Sequence, residues 1–213
     1  MRTDDLIARL STGLVPVKRV TPPMLAALGW LALALAVVSV GVAIAGFRHD
    51  IEQRLMLMHE QVNLAAALLT GTAAAIAAFH LALPDRSNRW ALLPLPFAVF
   101  WISGLGWGCV TEFVEQGWPA LGTSFSCMSF IMGFGVPLTL AMLWMTRHAA
   151  PIRPAPVAAL AGLAAAAIAS IGLSLSHHLD AAAMVLIWHG GSVLLVMLLS
   201  QRWGARAMCA LGP

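Results

Sequence analysis

The side chains best suited to chemistry in this chain are its thiols and imidazoles. Cys109, Cys127 and Cys209 are the cysteines; His177 and His178 are adjacent, Asp180 follows closely, and His59, His80 and His189 stand apart. Thiolate and imidazole together suit a soft or borderline metal such as zinc or copper. Two thiols can instead form a disulfide where their Cα atoms come within about 7 Å. Cys127 with His177 and His178 is the candidate metal set, and Cys109 with Cys127 the candidate thiol pair. Each has a plainer reading: adjacent histidines point in different directions and suit a solvated turn, and a free cysteine often just fills a helix contact. No Walker loop, nucleophile elbow or zincin helix occurs, so no catalytic constellation, no enzyme and no resident cofactor are expected.

Any such site must be held by membrane-spanning elements. Of the 213 residues, 60% are hydrophobic and only 10% charged, against about 25% charged in soluble domains. A span needs about 20 mostly apolar residues to cross a hydrocarbon core roughly 30 Å thick. Six stretches without Asp, Glu, Lys or Arg meet this: Pro23 to Phe47, Val62 to Pro84, Ala91 to Thr111, Cys127 to Thr146, Ala155 to Ser176 and Ala181 to Ser200. They are continuous apolar runs without the alternation of barrel strands, so the expected fold is all-α and polytopic. The small-residue run "ALAGLAAAAIAS" in the fifth predicts close helix packing. Trp90, Trp107, Trp118, Trp144 and Trp203 fall near predicted interfaces and read as belt residues.

Charge sets the expected orientation. Arg2, Arg9, Lys18, Arg19, Arg86, Arg89, Arg147, Arg153, Arg202 and Arg206 fall on one side and only Arg48 and Arg54 on the other. Positive residues are retained in the cytoplasm, which predicts cytoplasmic termini. The net charge of +3 follows from this asymmetry and calls for anionic membrane lipids rather than nucleic acid. A cleavable signal peptide ending at "AIAG" is the competing reading of the start. The apolar run before it exceeds the usual h-region of 7–15 residues, so an anchor is expected. Cys109 and Cys127 then stand at the outer ends of consecutive spans, His177, His178 and Asp180 in the last outer turn, and Cys209 in a reducing cytoplasmic tail.

The polar segment "MRTDDLIARLSTGLVPVKRV" precedes this apolar body. Thr3 or Asp4 can cap a helix, Asp4 and Asp5 suit its positive end, and Leu6, Ile7, Leu10 and Leu14 share one face until Pro16 stops it. A helix of about 12 residues is marginal alone in water, so it is expected to order against a partner. That partner is either the membrane surface or a protein groove that accepts the apolar stripe.

The opening "RTDDLIARLSTGLVPVKRV", the stretch from "FSCMSFIMGFGVPLTLAMLWMTRHAAPIRPAPVAALAGLAA" and "LSHHLDAAAMVLIWHG" together resemble the NrsF family of bacterial inner-membrane anti-sigma factors. The resemblance implies that residues 1–22, through Thr3, Asp4, Asp5, Leu6, Ile7 and Leu10, hold an extracytoplasmic-function (ECF) sigma factor in the cytoplasm. It further implies that residues 23–201 form a six-helix sensor domain and that 202–213 are a cytoplasmic tail. A periplasmic oxidant or heavy metal would release the sigma factor, sensed by two cysteines. Cys127 matches the first, alignment on Trp188 places His177 at the second, and Asp180 also falls on the family pattern, so Cys127, His177, Asp180 and the nearby Cys109 are the candidate sensing residues. The implied disulfide is therefore impossible between those sites. A Cys109–Cys127 disulfide and metal capture or thiol modification at Cys127 stay open, the histidine favouring the latter. The rival class is a small membrane haem protein or transporter. It is disfavoured because His80 and His189 differ in expected depth by roughly 15 Å and no span holds a charged residue.

Overall fold

The computed structural model describes residues 3–12, 20–116, 125–149, 152–176, 190–204 and 206. A short helix, α1 (Thr3–Ser11), precedes a bundle formed by α2 (Pro23–Ala45), α4 (Met58–Leu81), α5 (Leu95–Gln116), α6 (Phe125–Thr146), α7 (Pro154–Ser176) and α8 (Gly191–Leu199). A further short helix, α3 (Ile51–Met56), lies between α2 and α4. No strand occurs among the described residues. Five helical stretches among them are long and apolar enough to cross a membrane: Pro23–Ala45, Met58–Leu81, Asn88–Trp107, Met128–Thr146 and Pro154–Ser176. These agree with five of the six expected spans. Much of the sixth, 181–189, lies outside the described residues, and its remainder is α8, continued by a π-helical turn at Ser200–Gly204.

Local chemistry sets the helix ends. Proline is favoured at the first helical position because its missing N–H would have no partner there, and both α2 and α7 begin on one, at Pro23 and Pro154. Gly46 ends α2 with φ of 86°, a left-handed conformation that glycine adopts at no steric cost, and its N–H donates to Val42 O at 2.8 Å. Ser87 opens the 3-10 turn Asn88–Leu92 by accepting the Arg89 N–H at 3.3 Å. Hydroxyls inside the bundle return to their own helices: Thr70 to Ala66 O, Thr139 to Gly135 O and Ser200 to Val196 O. That leaves little polarity to satisfy across helix interfaces, as an environment without water demands.

At the centre is α7, which packs most extensively on α4 and also on α6, α8 and α2. Its buried face is small: Ala158, Ala161, Gly162, Ala164, Ala165, Ala166, Ala167 and Ala169. A Cβ added at Gly71 of α4 would lie 2.9 Å from Ile168 Cδ1, and one added at Gly162 would lie 2.8 Å from Ser200 Oγ and 2.9 Å from Met197 Cα. Fully buried Trp30 ties α2 to α6 by donating its Nε1–H to Leu138 O at 3.0 Å. By contrast α5 packs on α4 and turns Val99, Phe100, Ile102 and Trp107 outward.

Two contacts fix the directions of the helices. The Arg48 N–H after α2 donates to Leu175 O near the end of α7, at 3.1 Å. Arg153 Nη1 at the start of α7 donates to Arg86 O after α4, at 3.4 Å. Thus α2 and α7 run parallel, α4 runs against them, and Gly204, packed near Leu143 and Ala158, returns to the end where α7 begins.

Gly162→Val should therefore lower stability in detergent by about 1–3 kcal/mol, because the backbone at Met197 cannot yield as a side chain would. Gly29→Ala, with nothing within 4 Å of the new Cβ, should stay within about 0.5 kcal/mol of the parent. Equal thermal midpoints for the two variants would contradict the packing described.

Candidate functional site

The expected N-terminal helix is present. Helix α1 carries Asp4 and Asp5 in its first turn, where its positive end stabilises them, and Arg9 in its last. A rotation of about 100° per residue brings Thr3, Leu6, Ile7 and Leu10 onto one face. None of its residues is buried; Ile7 is 59% and Leu10 68% exposed. The helix is shorter than expected, nine residues against about 12. Thr12 follows it, its N–H making the last i→i−4 bond to Ala8 O at 3.2 Å and its Oγ1–H donating to the same carbonyl at 2.7 Å. Leu14 and Pro16 lie outside the described residues.

Cys109 lies in the second half of α5 and Cys127 in the first turn of α6. The described residues of α5 and α6 make no extensive mutual interface: α5 packs on α4, and α6 chiefly on α7. His177, His178, Asp180 and His189 lie outside the described residues, and among those described no three His, Cys, Asp or Glu side chains gather to hold a metal. His59 is exposed, with Nε2 3.8 Å from Glu60.

Two features of this frame were not anticipated. Trp90, expected as a belt residue, is half-buried and stacks on His80 with ring centroids 4.0 Å apart, while His80 Nδ1–H donates to Ile76 O at 2.9 Å. Trp107, Trp144 and Trp203 are exposed, and Trp118 lies outside the described residues. The second feature is an ion-pair latch in the connection between α2 and α4. The buried Arg48 guanidinium donates twice to Asp50, at 2.6 and 2.9 Å. Arg54 lies 3.6 Å from Asp50 and 2.9 Å from Glu60. With the Arg48 N–H on Leu175 O, this latch fastens the α2–α4 connection to the end of α7 that leads to His177. The only trace in the sequence is the alternation of charge in "RHDIEQR".

With the geometry described, similarity to known proteins can be set beside it. Residues 10–209 match the family described as NrsF, negative regulator of sigma F. The chain belongs to the NrsF family. A relative described as a probable anti-sigma-F factor NrsF, from Azospira oryzae, is 28% identical over 176 residues, 80% of this chain and 82% of its own length. No solved structure matches. NrsF proteins are negative regulators rather than enzymes, and their anti-sigma role implies a sigma-factor partner. The NrsF match begins at Leu10, so Thr3, Asp4, Asp5, Leu6 and Ile7 precede it, whereas Cys109, Cys127, His177 and the latch lie within it.

Hydrogen bonding from Arg48, reinforced by Arg54, holds the Asp50 carboxyl down at about 2 from an ordinary 3.8. A carboxyl depressed on folding contributes stability above its unfolded value, and the contribution is lost as pH falls through the folded value. The latch should hold above about pH 4 and fail toward pH 2. Carboxyl titration by NMR in micelles should place the Asp50 midpoint near 2, moving toward 3.8 in Arg48→Gln. A parent midpoint already at 3.8 would mean that the latch does not form in solution.

Proposed function

We propose that this chain is an inner-membrane anti-sigma factor that sequesters an ECF-type sigma factor on α1 and releases it on a periplasmic redox or metal signal. Six spans are proposed, the sixth completed by residues 181–190 ahead of α8, with both termini cytoplasmic. The basic excess at the end of the bundle where α7 begins supports that orientation. The observation that carries the reading is the unpartnered apolar stripe of α1, on a chain whose family acts on a sigma factor. Leu6, Ile7 and Leu10 make no use of the bundle, and a surface-lying helix would be expected to carry more Lys and Arg than the single Arg9 of α1. Asp4 and Asp5 offer charge complementarity to a basic partner, which acts more on association rate than on final affinity.

Burying one such leucine is worth about 1.5–3 kcal/mol, so Leu6→Ala with Leu10→Ala should weaken sigma binding by well over tenfold. Co-purification from native membranes measures it. Unchanged retention of the sigma factor would return α1 to the membrane surface.

For the switch, Cys127 is proposed as the sensing thiol, partnered by His177 or His178 for metal or by Cys109 for a disulfide. Metal capture needs neutral imidazole and thiolate, so it should weaken as pH falls through about 6.5. In a sigma-dependent reporter strain challenged with peroxide, cadmium and zinc, Cys127→Ser should abolish the response and His177→Ala should blunt the metal response. Loss confined to Cys109→Ser would favour the disulfide, and a normal response in Cys127→Ser would refute both.

A further inference from the structure

The end of the bundle where α4 leaves and α7 begins carries four arginines. Arg86 and Arg89 lie in the turn after α4, and Arg147 and Arg153 in the connection from α6 to α7. The hydrogen bond from Arg153 Nη1 to Arg86 O brings the two turns together, at 3.4 Å. Arg147 is held over the Trp144 ring at 3.3 Å and also donates to Trp144 O. Among the described residues of these turns the carboxylate is Asp85, exposed and 3.6 Å from Arg86, an arrangement of little weight in water.

The surroundings of these charges are apolar. Ile152, beside Arg153, is 70% exposed, and Leu92, in the turn that carries Arg89, is 58% exposed. Guanidinium groups recognise phosphate by charge and by paired N–H donors. Exposed aliphatic side chains next to them, at the ends of spanning helices, suit acyl chains and have no use for a free anion.

We propose that Arg86 and Arg153, flanked by Arg89 and Arg147, bind the phosphate of an anionic phospholipid whose acyl chains lie against Ile152 and Leu92. The bound lipid bridges the exit of α4 and the entry of α7, the two helices with the most extensive contact in the bundle. The site depends on the membrane fold alone and is independent of the sigma factor and of the periplasmic signal.

The test uses the full chain in detergent, with phosphatidylglycerol, phosphatidylcholine or inorganic phosphate added at equal phosphate concentration. Retained lipid is read by native mass spectrometry, and thermal midpoints are read in parallel. The parent should retain phosphatidylglycerol over phosphatidylcholine. Each arginine near a charged headgroup is expected to contribute about fivefold, so Arg86→Gln with Arg153→Gln should cut that preference by about 25-fold. Equal retention of the two lipids, or an undiminished preference in the double variant, would overturn the proposal. Stabilisation by inorganic phosphate equal to that by phosphatidylglycerol would overturn the lipid assignment in favour of a simple anion site. If the double variant does not fold, the parent's preference must fall as salt rises from about 0.05 to 0.5 M, where screening becomes strong; a salt-independent preference would sink the site.

Discussion

The bundle depends on how closely α7 lets its neighbours approach. In hydrocarbon there is no hydrophobic gain from bringing two apolar helices together, so association rests on van der Waals contact and on what polar groups can add. The alanine and glycine face of α7 lets the backbones of α4 and α8 come close enough for that contact to be large. Leucine at Gly71 or Gly162 would hold the helices apart and forfeit the attraction along much of their length. The rest of the architecture is arranged around this helix, with α2 and α6 locked by the Trp30 indole and α5 at the margin.

The two ends of the bundle solve different problems. At one end the α2–α4 connection is fastened to α7 by a buried arginine whose charge is answered by Asp50, with Arg54 and Glu60 extending the network. At the other the turns are rich in arginine and poor in carboxylate. Helix α7 joins them, so both termini of this central helix are held: Leu175 near its end by the Arg48 N–H, and Arg153 at its start by the Arg86 carbonyl.

Much of this was legible in the sequence. Apolar runs of span length placed five helices to within a few residues, since membrane burial imposes both length and composition, and "ALAGLAAAAIAS" announced the packing face of α7. The stripe of α1 was legible because Leu6, Ile7 and Leu10 recur at helical spacing. Its end was placed too late, since α1 stops at Ser11, ahead of Pro16. The latch was not legible: the pairing of Arg48 with Asp50 is local, but its purpose comes from Leu175, far along the chain. Trp30 and Trp90 were equally opaque, because tryptophan serves belts and interiors alike and only its neighbours, Leu138 O or the His80 ring, distinguish them.

The contact of Gly162 with Met197 and Ser200, and of Gly204 with Leu143 and Ala158, has a consequence for how the molecule is made. These partners of α7 come after it in chain order, and a chain is synthesised at roughly 5–20 residues per second, N-terminal parts first. The earlier helices can enter the bilayer and begin to pair while residues 190–204 are still awaited. Until then one groove on α7 faces lipid, which fills it less well than a matched helix does. Insertion and final packing are thus separate stages for this protein, and the second waits for α8.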